Sequence, residues 1–150
     1  MTEAMSRSRV RARRMGESNT THSEEIEMST NAQRAGWIIT VLVTLFLGFD
    51  IVIHLLRVES VMAFNDKIGA PGWFPVLCGA VLGLSLVAYH VPATRAMGTI
   101  LITAYLGGAV TVNLVFGQPA FNTVFAIATA VLVWAGAWPR DERLRGLVTA

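Results

Sequence analysis

Asp50 and His54 could exchange a proton from within a long apolar stretch, the run from Trp37 to Leu56. Their spacing of four residues puts them on one helical face, a turn apart, where they can hydrogen-bond each other. Charge is costly in hydrocarbon, so an ionisable residue inside a span normally faces a bundle interior or a wet cavity and marks a site. The polar residues of other apolar segments, Tyr105, Asn113 and Asn122, are the expected partners. One histidine and one carboxylate are too few ligands for a metal ion. The single cysteine, Cys78, permits neither an intramolecular disulfide nor a Cys-x-x-Cys dithiol and reads as a small buried hydrophobe. The ligands that suit such a polar cluster are a proton, a quinone head group or another small polar molecule, with no cofactor evident from the residues alone.

The elements that must position these groups are membrane spans. Of the 150 residues, 53% are hydrophobic and 15% charged, the mean hydropathy is +0.53, and the apolar residues fall in blocks. Four runs stand out, at about 36–57, 73–91, 97–116 and 120–138. Each is long enough to cross roughly 30 Å of hydrocarbon at about 1.5 Å per residue. The prolines agree: Pro71 and Pro75 open the second run, Pro92 follows it, Pro119 opens the fourth and Pro139 closes it, as expected of a residue tolerated in the first helical turn and excluded from the interior. Short connections at 92–96 and 117–119 force antiparallel neighbours. The fold expected is all-α, an integral membrane four-helix bundle running up-down-up-down. Val58, Val61 and Met62, at helical spacing in the longer link 58–72, predict a short interfacial helix between spans 1 and 2.

Residues 1–34 are rich in Ser, Thr, Glu, Arg and Asn without apolar periodicity, which predicts a disordered cytoplasmic tail ahead of a transmembrane domain at 35–150. The cluster Arg7, Arg9, Arg11, Arg13 and Arg14 has no interleaved aromatics, so it reads as a solvated tail and not as a nucleic-acid site. Arg13-Arg14 does not read as an export signal, because the apolar run begins more than twenty residues later and is too long for a signal peptide. Met28 offers an alternative start that would leave the basic tail out of the native product.

Arg34, Arg95, Arg140, Arg143 and Arg145 flank one side of the spans against Arg57 and Lys67 on the other, which predicts both termini in the cytoplasm. Trp37, Trp73, Trp134 and Trp138 fall near the interfaces, and Tyr89 and His90 read as interfacial anchors. Counting helical rise from the cytoplasmic ends places His54 at about 25 Å and Asn113 at about 24 Å, with Asn122 at the same height and Asp50 one turn deeper. Three helices thus bring polar groups to the outer third of the membrane. These groups either hydrogen-bond to fix register or form an outward-facing site, while snorkelling of His54 and Arg57 is a third reading. Gly79-x-x-x-Gly83, Ala104-x-x-x-Gly108 and Ala126-x-x-x-Ala130 suit close helix approach, within this bundle or in a homo-oligomer.

Residues 97–117, around the core Tyr105-Leu-Gly-Gly-Ala-Val110, resemble the third span of DoxX-like membrane proteins. Phe49-Asp50 with a polar residue at 54, Ile68-Gly-Ala-Pro71, Thr94-Arg95 and Arg140 to Leu147 extend the resemblance over about 40–147. It implies a multi-pass protein of the bacterial cytoplasmic (inner) membrane. The family takes its name from a subunit associated with thiosulfate and quinone oxidoreduction, and some relatives are linked to membrane complexes that handle oxidative stress. The chain departs from the family in carrying His54 where a lysine is frequent and Asn113 where a histidine is frequent, whereas Asp50 fits the pattern. An amide cannot exchange a proton near neutral pH, so Asn113 retains only a hydrogen-bonding role.

The expectation is therefore a subunit or anchor of a membrane complex, quinone- or redox-linked, in the lipid bilayer with membrane or redox partner proteins and without catalysis of its own. The alternative is a small oligomeric transporter or proton-coupled permease using Asp50 and His54.

Overall fold

The computed structural model describes residues 30–141, 144 and 146. The chain divides into two units, 1–35 and 36–150. In the first, residues 30–35 are helical, and the rest of the expected tail lies outside the described residues. Five α-helices occur among the described residues: α1 Thr30–Leu55, α2 Glu59–Lys67, α3 Phe74–His90, α4 Arg95–Val115 and α5 Ala120–Ala137. A single 3-10 turn, Trp138–Arg140, follows. Among the described residues three helices are long and apolar enough to cross a membrane, Thr30–Leu55, Arg95–Val115 and the segment Ala120–Arg140. The second predicted span is shorter. With 17 residues, α3 rises about 26 Å, a little under the hydrocarbon thickness.

Helix ends follow local chemistry. Arg57, Gly69 and Gly117 take positive φ values of 53°, 68° and 59°, and each closes a helix by the same pair of bonds. Val58 N–H donates to Ile53 O at 3.2 Å and Arg57 N–H to His54 O at 3.2 Å; the corresponding pairs after α2 and α4 are Ala70 to Asn65 with Gly69 to Asp66, and Gln118 to Asn113 with Gly117 to Leu114. This is the Schellman closure, which satisfies the last carbonyls of a helix. Only at Arg57 does a residue with a Cβ occupy the left-handed position.

Each of the four longer helices buries one stripe at three- and four-residue spacing, the mark of an inward face. On α1 it is Gly36, Thr40, Val43 and Leu47; on α3 Pro75, Gly79, Leu82, Leu86 and Tyr89; on α4 Arg95, Thr99, Ile102 and Leu106; on α5 Ala126, Thr129, Val133 and Gly136. Large apolar side chains cover the outside, among them Ile38, Leu42, Phe49, Leu84, Val115 and Phe121. A surface so apolar is suited to lipid and not to water.

Small residues let the helices approach. Gly98 lies directly against the backbone of Tyr89, and a Cβ on Gly79 would meet His54 Cβ at 3.1 Å and Ile51 O at 3.2 Å. Gly79 and Gly83 thus face α1, while Gly107 and Gly108 border open space. Tyr89, expected as an interfacial anchor, is instead fully buried. Its hydroxyl donates to Val133 O at 3.2 Å and meets Thr40 Oγ1 at 3.4 Å, so its polar end is used for interhelical bonding inside the core.

Candidate functional site

The α1 stripe Gly36, Thr40, Val43 and Leu47 continues at the same spacing to Asp50 and His54, which therefore turn toward the other helices. Both side chains are partly covered, at 26% and 22% exposure. His54 Nδ1 lies 2.9 Å from the backbone carbonyl of Asp50 and 3.5 Å from its carboxylate Oδ1. A carbonyl oxygen only accepts, so Nδ1 carries the proton, and in the neutral ring Nε2 presents a lone pair. From α4, the Tyr105 hydroxyl is a hydrogen-bond partner of the Asp50 carboxylate. The three groups form a chain from an open imidazole nitrogen through a carboxylate to a phenol.

Two cavities flank this chain. The smaller, about 180 Å³, is walled by Asp50, His54, Tyr105, Asn122 and Thr129 with Phe46 and Phe125 among its apolar contacts. It brings together four of the five residues expected from the sequence. Asn113 is not in its wall: on α4 the pocket ends at Ala109, one turn earlier, and Asn113 stands half-buried beyond it. Rise along a helix fixes height, whereas helix tilt and rotation decide which side chains meet.

The larger cavity, about 320 Å³, lies between α2, α3 and α4 and shares His54, Tyr105 and Ala109 with the first. Its other walls include Phe64 and Asn65 of α2, Cys78 of α3 and Val112 of α4. The sequence did not single out Phe64 or Asn65 as site residues. Asn65 was visible only as the polar end of an amphipathic link, and the one available signal was that an asparagine five residues before Ala70-Pro71 can bond back to the turn. Cys78 is half-buried at the cavity wall, so it is less enclosed than a small core hydrophobe would be.

A second polar network sits at the opposite end of the helices. Arg140 donates to Thr40 Oγ1 at 2.8 Å and stacks its guanidinium 3.8 Å over the Trp37 ring, and Arg95 donates to Arg140 O at 3.0 Å. These groups tie the ends of α1, α4 and α5 together. Among the described residues, no three His, Cys, Asp or Glu side chains gather as a metal site would require.

No curated protein and no solved structure matches this chain. The sequence profile of the DoxX-like family matches residues 38–136, a stretch that contains Asp50, His54, Tyr105, Asn113 and Asn122 and both cavities. The chain belongs to the DoxX-like family.

Proposed function

We propose that this protein is a subunit or anchor of a membrane complex, linked to a quinone and placed in the bacterial inner membrane with both termini in the cytoplasm. The observation that carries this reading is the meeting of His54, Asp50 and Tyr105 at the boundary of two largely apolar cavities. An apolar pocket with a few convergent polar groups suits a lipophilic ring bearing oxygen substituents. His54 and Asp50 would exchange its protons, and electron transfer would belong to a partner chain.

The arrangement in the bilayer is a four-span bundle, up-down-up-down, with α3 as the short span and α2 lying at the outer interface. Contacts of opposed order support it: Thr40 meets Tyr89 while His54 meets Gly79, and Thr40 meets Gly136 while Phe46 meets Phe125. Solubilisation in mild detergent, followed by organic extraction and identification of co-purifying chains, tests the reading. A quinone or a partner protein is expected at near-stoichiometric amount. Elution of the chain alone, with neither, would overturn it.

The second reading is a small oligomeric transporter or proton-coupled permease. It draws support from the two cavities meeting across His54 and Tyr105, as the halves of a pathway on either side of a gate would. Proteoliposome uptake that depends on a proton gradient and disappears in Asp50→Asn would favour it over the first.

A further inference from the structure

At the larger cavity His54 and Tyr105 have acceptors left to offer, and the Cys78 thiol on the same wall is only a weak donor. Nδ1 of His54 gives its proton to Asp50 O, and in the neutral tautomer that this bond selects, Nε2 offers a lone pair. A carboxylate only accepts, so Tyr105 donates its proton to Asp50 and its oxygen keeps free lone pairs. Asn65 is only 2% exposed, and its amide nitrogen donates to Ala70 O at 2.8 Å and Pro71 O at 3.3 Å. Those two carbonyls fix the orientation of the amide, since a reversed group would set oxygen against oxygen. Its Oδ1 is left enclosed with no hydrogen-bond partner among the described residues, an arrangement that buried polar atoms rarely show.

We infer that the cavity between α2, α3 and α4 binds a lipophilic molecule with a hydroxyl donor, a phenol or hydroquinone ring, in preference to the same ring bearing only carbonyl or ether oxygens. The inference rests on the quinone reading above and names the form held, the reduced one. Its physical basis is complementarity. A carbonyl or ether oxygen brought against His54 Nε2 and the Tyr105 oxygen leaves acceptors facing acceptors in a poorly solvated site, and a hydroxyl satisfies one of them. At about 320 Å³ the space is at the lower end for small-molecule pockets and suits one ring with a short chain. The α2 wall is held as a unit, because the Schellman closures at Arg57 and Gly69 stand at the ends of the α1–α2 and α2–α3 connections and Asn65 ties it to the turn before α3.

The test uses the full chain in lipid nanodiscs and two probes that differ by one O-methyl group, 4-pentylphenol and 4-pentylanisole, titrated calorimetrically with empty nanodiscs subtracted. The phenol is expected to bind about tenfold more tightly than its methyl ether, the worth of one hydrogen bond in such a site. Tyr105→Phe keeps the ring, His54→Phe keeps an aromatic ring at the position, and both remove acceptors; at least one of them is expected to reduce that preference to about threefold or less. Val112→Trp fills the cavity and is expected to abolish binding of both probes. Equal affinities for the native chain, no binding of either probe, or affinities unchanged in Val112→Trp would each overturn the inference. The native comparison decides the hydroxyl preference even if a variant fails to fold. Phenol selectivity without any co-purifying quinone would leave this inference standing and remove the quinone as its natural ligand. A co-purifying quinone with equal probe affinities would do the reverse.

Discussion

His54 donates its Nδ1 proton to the backbone carbonyl of Asp50 at 2.9 Å while standing 3.5 Å from the carboxylate of the same residue. The helix therefore places the proton of a neutral imidazole on Nδ1 and leaves Nε2 as the acceptor. The carboxylate, in turn, is bonded from α4 by Tyr105. Proton exchange at His54 Nε2 would place the resulting positive charge beside Asp50, where it is stabilised without any movement of the backbone.

Asp50→Asn preserves the shape of the site and removes that stabilisation. A fall of at least about tenfold in quinone retained on purification is expected, with thermal unfolding shifted by only a few degrees, in line with loss of one charge-assisted bond of about 1.5–3 kcal/mol. A purely structural cluster would show the opposite pattern: unchanged retention with a clear loss of thermal stability in the Asp50→Asn, His54→Gln double variant.

Tyr89→Phe deletes a fully buried hydroxyl that bonds Val133 O. The carbonyl and Thr40 lose a shared partner, for an expected cost of about 1–2 kcal/mol, whereas Tyr89→Ala also opens a cavity and costs about 3–5 kcal/mol. Thermal unfolding followed by circular dichroism in detergent separates the two. A residue acting only as an interfacial anchor would show little effect in the first variant.

Gly98→Ala and Gly107→Ala form a matched pair. The first would drive a methyl into the backbone of Tyr89, and the second meets open space. Gly98→Ala is expected to lower stability severely by separating α3 from α4. Gly107→Ala is expected to be neutral or to stabilise by up to about 1 kcal/mol through helix propensity. Comparable losses in the two variants would contradict the packing at Gly98.

Arg57 holds a left-handed φ of 53° with a full side chain, a conformation that costs an L-residue about 1–2 kcal/mol. Arg57→Gly is expected to raise the unfolding midpoint by removing that cost while keeping both Schellman bonds. A lowered midpoint would show that the arginine side chain contributes more than the strain it carries.

Much of the architecture is legible in the residues. The apolar runs at about 36–57, 97–116 and 120–138 correspond to α1, α4 and α5, because apolar length and flanking Pro and Gly act locally. The run at 73–91 corresponds to α3 with 17 residues, since Trp73 already belongs to the turn before it. An aromatic near a span end, such as Tyr89, fits a lipid interface as readily as a core, and only the close approach of Gly98 and Gly136 makes room for it inside. The role of Asn65 depends on a bond to the turn that follows, which no periodicity in the residues marks.

The sequence by itself determined that Asp50 and His54 share a face, that an ionisable pair in an apolar run turns toward other helices, and that the chain is built largely of long apolar helices. These follow from the 3.6-residue period and from the cost of polar groups in hydrocarbon, both properties of a single segment. Only the tertiary structure decided that Tyr105 and Asn122 join the pair and Asn113 does not, and that α2 walls a second cavity against His54. Helix tilt and rotation set those meetings, and they are fixed by contacts such as Gly98 on Tyr89 and Gly79 on His54, between residues on separate helices that no local pattern links.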